Sequence, residues 1–183
     1  MANDDRAFGL MPLDAAQVRK GHYYQVTTLT DLAVGMPVYM TNGAVGRAAA
    51  TGMAPVLGVI GGFSQAKGGI HTLDPFLDVS DLTSNDWYAL VYDDPQQEFL
   101  IQEDTGGTAL TATAGGAQYS ADMLYQTTSI NTNTGWAMIE LDASTALAST
   151  GAALQVLRLH DVVNTDGTQN AVGDYAKWVV KFV

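Results

Sequence analysis

In Tyr175-Ala176-Lys177-Trp178-Val179-Val180-Lys181-Phe182-Val183, Ala176, Trp178, Val180 and Phe182 fall at every second position, with Lys177 and Lys181 between them. Side chains leave an extended strand alternately to its two sides, so this spacing predicts a strand with one face in a core. Working back along the chain, residues 87–92 (Trp-Tyr-Ala-Leu-Val-Tyr) are apolar on both faces, which predicts a central strand covered on both sides. The turn Asp93-Asp94-Pro95 follows, and residues 98–103 are extended again, so 87–103 is expected to form a hairpin. Residues 22–28, 36–40, 55–63, 136–141 and 154–163 read as further strands. Asn42-Gly43 marks a turn from 36–40 into a short strand at 44–49.

Helical periodicity is scarce, confined to short stretches at residues 14–19 and 81–86. Residues 104–135, rich in Thr, Ala, Gly and Asn, are expected to form a long excursion with short strand pieces. Gly-Gly pairs at 61–62, 68–69, 106–107 and 115–116 separate apolar runs of strand length. The expected fold is therefore all-β, a single β-barrel-like or β-sandwich-like domain over residues 21–183, preceded by an extended N-terminal arm, residues 1–20.

The 183 residues suit one core, and 47% hydrophobic content supplies it, which excludes a wholly disordered chain. A chain of this length hides about 70% of its unfolded surface. The formal net charge is −11, from 8 Lys and Arg against 19 Asp and Glu. Such a surface argues against nucleic acid as a partner, because that affinity comes from cations displacing counterions on phosphates. No run of about 18 apolar residues occurs, so no membrane helix is expected. The opening Met-Ala-Asn3-Asp4-Asp5-Arg6 lacks the basic start and apolar run of a signal peptide, and the expectation is a soluble protein outside the general secretory route.

The charge is unevenly placed. Between Lys67 and Arg158 there is no basic residue, yet twelve acids lie there, among them Asp93, Asp94, Glu98, Glu103, Asp104 and Glu140. The two ends are near neutral. That split suits a molecule whose acidic middle faces solvent and whose remainder faces a partner, and equally a plain acidic surface that keeps the protein soluble.

The arm differs from the rest. Phe8, Leu10, Met11 and Leu13 stand beside Gly9 and Pro12 with neither helical nor strand alternation, so their apolar area needs a surface to bury it. Phe8, Leu10, Met11, Pro12 and Leu13 are the candidate contacts to another subunit or partner; capping of the chain's own body is the other reading.

Catalytic patterns are not found. With no cysteine there is no disulfide, thiolate nucleophile or Cys-based metal site. His22, His71 and His160 lack zinc-site spacing. The acids at 93–94 with Glu98, and at 103–104, are of the type that ligates calcium, but no calcium-loop pattern contains them. Ser64, Ser80 and Ser144 lack a Gly-x-Ser-x-Gly elbow, and the glycines at 58, 61 and 62 lead to no Gly-Lys-Ser/Thr ending. No enzyme, cofactor or metal is expected.

The order of segments resembles that of tailed-bacteriophage capsid decoration, or cement, proteins. The likeness runs from Phe8-Gly9-Leu10 and Pro12 through Gly35-Met36-Pro37-Val38 and Pro55-Val56-Leu57-Gly58-Val59. It continues through Val91-Tyr92-Asp93-Asp94-Pro95, Phe99-Leu100-Ile101-Gln102-Glu103-Asp104 and Glu140-Leu141-Asp142. Leu157-Arg158-Leu159, the stretch from Asn170 to Ala176, and Trp178-Val179-Val180 complete it, while residues 105–118 stand outside it. The resemblance implies a β-barrel-like or β-sandwich-like clamp on the outer surface of a phage head. It further implies a homotrimer that ties neighbouring major capsid proteins together after assembly in the host bacterial cytoplasm. Absent disulfides suit that compartment.

Two other classes share the all-β pattern. A tail or fibre adhesin, or a carbohydrate-binding module, would present Trp87, Trp136 or Tyr125 as stacking platforms. A glycoside-cleaving enzyme would need two carboxylates converging in a cleft, about 5–10 Å apart.

Overall fold

The computed structural model describes residues 3, 5–13, 21–26, 30–48, 55–67, 69–72, 74–78, 80, 82, 86–105, 110, 119–145 and 152–183, with residues 126–128 described in backbone alone. In chain order the strands are β1 (Met11–Pro12), β2 (Gly21–Gln25), β3 (Leu32–Ala33), β4 (Pro37–Thr41), β5 (Ala44–Arg47), β6 (Gly58–Ser64) and β7 (Phe76–Leu77). They continue with β8 (Tyr88–Tyr92), β9 (Phe99–Gln102), β10 (Ser120–Ala121), β11 (Met123–Ile130), β12 (Ala137–Leu141), β13 (Leu154–Leu159) and β14 (Lys177–Phe182). The fold is all-β, as the sequence predicts.

Two five-stranded antiparallel sheets make the body, in the orders β1-β9-β14-β13-β10 and β2-β8-β6-β4-β5, joined by the ribbons β11-β12 and β3-β7. Their inward residues, including Val38, Phe63, Val91, Phe99, Ile139 and Trp178, form one continuous core. The arrangement is sandwich-like. Among the described residues the edges of the second sheet meet at one bridge, Val26 to Val45, and not along a ladder that would close a barrel.

β14 lies between β9 and β13, with Trp178 opposite Ile101 and Leu159. Ala176, Trp178 and Val180 are fully buried, as the alternation requires, and Phe182 is half-buried. Val179, on the other face, is buried too, so the strand's middle is covered on both sides. The Asn42-Gly43 turn joins β4 to β5 with φ of 48° and 84°, the left-handed pair that suits the twist of a tight hairpin.

The expected hairpin over 87–103 does not form. β8 pairs with β2 and β6 in one sheet, and β9 pairs with β1 and β14 in the other. The turn at 93–97 is present, with Gln97 N–H donating to Asp94 O at 2.9 Å, but it carries the chain from one sheet to the other. Asp93 is held on the β2 side by His22 Nδ1 at 2.8 Å and by the Tyr24 hydroxyl at 2.5 Å, which directs the chain out of its sheet. β8 is central but fully covered on one face only: Ala89 and Val91 are buried, while Tyr88, Leu90 and Tyr92 are half-buried.

Within the excursion 104–135 lies β11, an eight-residue strand that pairs with β12. The turn between them is closed by Gly135 N–H donating to Asn131 O at 2.6 Å. The helix expected at 14–19 lies outside the described residues, as do all but Leu82 and Asp86 of the one at 81–86. No helix among the described residues is long and apolar enough to cross a membrane.

Candidate docking groove

The described part of the arm belongs to this chain's own body. β1 is an edge strand on β9, with Met11 opposite Leu100 and Pro12 opposite Phe99. Gly9 and Gly35 cross in contact at φ of 72° and 85°, where a Cβ on Gly9 would stand 2.6 Å from Gly35 O. Only glycine permits both that backbone and that approach. Leu10 N–H donates to Gly35 O at 2.9 Å, and the Leu10 side chain is 0% exposed in the core. Leu10 is therefore a core residue and not the free contact expected from the sequence. Leu13 is half-buried and its N–H donates to Glu98 O at 3.0 Å. Pro12 is half-buried and, lacking an N–H, blunts the sheet edge.

Pinning Leu10 inward leaves its neighbours turned out. Phe8 is half-buried and Met11 is 37% exposed. β12 supplies the opposite wall by its alternation: Ala137, Ile139 and Leu141 are buried in the core, so Trp136 and Met138 look the other way and are half-buried. Phe8, Met11, Trp136 and Met138, with Asp5 and Arg6 at one side, line an open groove of about 620 Å³. It can take an apolar side chain from a partner, with the exposed Arg6 guanidinium at the rim for an acceptor.

Beyond Met138 on the same row lies Glu140, which is buried. Gln102 of β9 ties it to Asp5 and Arg6 at the groove's side. Its Nε2 donates to Glu140 Oε1 at 2.9 Å and to Asp5 Oδ1 at 3.2 Å, while its Oε1 accepts the Arg6 N–H at 2.8 Å. Burial pushes the Glu140 carboxyl from 4.5 up to about 7, with Asp5 and Asp104 adding to the rise and the Gln102 hydrogen bond opposing it. Nearby, Glu103 accepts from Leu110 N–H at 2.7 Å and from Trp178 Nε1 at 2.6 Å, and burial pushes its pKa up. Asp104 accepts from Ala143 N–H at 3.0 Å.

Three of the twelve acids of the middle are thus withdrawn from any solvent face. Glu103, Asp104 and Glu140 are inside the protein, tolerated there because donors from distant segments, Trp178, Ala143 and Gln102, meet their oxygens. Among the described residues, no group of three or more His, Asp or Glu is placed to hold a metal ion. Glu98 pairs with Arg158 at 2.7 Å. His71 Nε2 and the Tyr23 hydroxyl are hydrogen-bonded at 2.6 Å.

Of the aromatic residues considered as sugar platforms, Trp87 is buried. Tyr125 is half-buried, donates to Ala48 O at 2.6 Å and carries the Arg47 guanidinium 4.3 Å over its ring. Trp136 is part of the groove. The sequence reading missed Asp5, Arg6, Met138 and the Gln102–Glu140 contact; the alternation of 136–141 held the signal for Met138. No protein-family model, curated protein or solved structure matches the chain.

Proposed function

We propose that this chain is a structural protein of a tailed-phage virion, a capsid decoration protein that binds the outer surface of the head and clamps neighbouring major capsid proteins. The observation that carries the reading is the groove, in which Phe8 and Met11 of the arm and Trp136 and Met138 of β12 remain open together on a rigid all-β body. A projecting apolar side chain of the shell is its occupant. Covering the remaining exposed area of two or three such side chains contributes about 2–3 kcal/mol per copy. Self-association as a trimer and repetition over the lattice turn such a contact into firm attachment through effective concentration. The near-neutral ends then face the shell, with Arg6 at the contact. Sugar binding has less support, because Trp87 and Tyr125 are engaged within the fold.

The test is fractionation of phage-infected cells, followed by rebinding of purified protein to purified heads. The wild-type chain is expected to sediment with the major capsid protein in a fixed ratio. Met138→Asp, which puts a charge in the groove, is expected to leave it in the supernatant. Failure of the wild type to sediment with heads, or full occupancy by Met138→Asp, overturns the proposal.

A further inference from the structure

We infer that the groove binds a segment of the shell in which a carboxylate stands beside the apolar side chain, the carboxylate held by Arg6 with the indole N–H of Trp136 as a second donor. That the segment belongs to the shell rests on the docking reading; the demand for an acid is a property of the groove itself.

The polar side chains that line the groove divide by type. Their acceptors are engaged within the chain. Asp5 accepts from Gln102 Nε2 at 3.2 Å and shares a hydrogen bond with Tyr175. Asn131 Oδ1 accepts the Asn133 N–H at 3.0 Å, and Thr134 Oγ1 accepts the Trp136 backbone N–H at 3.4 Å, both in the turn that leads into β12. The donors are not engaged. Among the described residues, neither the Arg6 guanidinium nor Trp136 Nε1 meets an acceptor, and neither is sealed from solvent. A ligand of this groove therefore has to bring the acceptor. A carboxylate is the acceptor that matches the planar fork of a guanidinium.

The charge on offer has a definite sign. The chain carries −11 overall, yet the charged side chain left unpaired in the groove is a cation. Asp5 does not neutralise it, because its carboxylate is turned to Gln102 and Tyr175. Arg6 is also held in place. Its own N–H is tied to Gln102 Oε1 at 2.8 Å. Three residues earlier, Asn3 donates to Ala171 O at 2.8 Å and Asp174 O at 2.9 Å; four residues later, Leu10 is anchored in the core. Little backbone order is left to impose on binding.

The apolar wall beside Arg6 is Phe8, Met11 and Met138, and no Lys or Glu is among the groove's described lining. Aromatic residues, Met and Arg gather at the centres of protein–protein contacts, where Lys and Glu are depleted. An apolar side chain alone would cover the guanidinium and give it no acceptor, at a cost. A segment that carries both groups satisfies wall and cation together.

The test titrates the full chain with N-acetyl-leucine, N-acetyl-leucinamide and acetate at neutral pH and low salt, following the Trp136 indole and Arg6 Nε–H signals by NMR. The amide removes the charge, and acetate removes the side chain. N-acetyl-leucine is expected to bind at least about threefold more tightly than either. Arg6→Ala, made at an exposed position, is expected to lose the preference for acid over amide. Equal binding of acid and amide, equal binding of acetate, a preference that survives in Arg6→Ala, or no binding of any probe each overturns the inference. With purified heads, Arg6→Glu is expected to rebind less tightly than the wild type by at least about the same factor. Heads that take up Arg6→Glu fully and reject Met138→Asp keep the docking reading and remove the acid. An Arg6-dependent acid preference in a chain that never sediments with heads does the reverse.

Discussion

The indole nitrogen of Trp178 donates to Oε2 of Glu103 at 2.6 Å, and neither side chain reaches solvent. The other carboxylate oxygen takes the Leu110 N–H at 2.7 Å, so both acceptors face donors. Glu103→Gln replaces one acceptor by an NH₂ that must point at a donor. We predict a loss of about 1–3 kcal/mol, read from the denaturant midpoint, because a buried donor is left unmet. An unchanged midpoint contradicts the satisfied-acceptor account of this buried acid.

Glu140 gives stability a pH dependence of definite sign. Its folded carboxyl titrates at about 7 against an ordinary 4.5, so the folded state holds the proton more tightly than the unfolded chain. The stabilisation is complete below about pH 4.5 and is lost as pH rises through about 7. At about 1.4 kcal/mol per pH unit, the difference amounts to about 3 kcal/mol. Glu140→Gln is expected to match the wild type at low pH and to exceed it by up to that amount at pH 8.5, in denaturant unfolding at matched ionic strength. Equal stability curves for the two proteins dismiss the raised carboxyl.

Leu10, Phe8 and Met11 separate folding from docking. Leu10→Ala removes a fully buried side chain and is expected to cost about 2–5 kcal/mol. Phe8→Ala and Met11→Ala, made at half-buried and exposed sites, are expected to cost no more than about 1 kcal/mol while weakening attachment to heads. Thermal unfolding of the three variants ranks them; a Leu10→Ala protein as stable as wild type returns Leu10 to the role of a free contact.

Gly43 stands at φ 84° with open space where a side chain would go. Gly43→Ala therefore meets no clash, and its expected cost of about 1 kcal/mol is purely that of the left-handed backbone. A cost well above this, measured by equilibrium unfolding, points to a loss of the β4-β5 register.

Tyr24 donates to Asp93 at 2.5 Å, and burial with that hydrogen bond pushes its pKa to about 12. Asp93→Asn is expected to bring the ionisation of Tyr24 to lower pH, followed by ultraviolet absorbance. No change after the substitution excludes the Asp93 carboxylate as a cause.

Strand identity is a local matter, and so it was legible in the chain alone. The alternation in 176–182, the Asn42-Gly43 turn and the two-faced row of 136–141 each follow from side-chain spacing and backbone sterics within a few residues. Strand partnership is not local. Any exposed strand edge offers the same N–H and C=O groups, so nothing within 87–103 distinguishes a hairpin from the observed crossing between sheets. That choice belongs to β2, which brings His22 and Tyr24 to Asp93 from about 70 positions away. Burial of an acid is equally non-local: Glu103 is tolerated inside because Trp178, 75 positions on, turns an N–H toward it. The apolar arm announces itself in the sequence as a segment in need of cover. Which of its side chains found cover, Leu10, and which stayed open, Phe8 and Met11, was settled by the crossing of Gly9 over Gly35, a contact that exists only once the sheets have met.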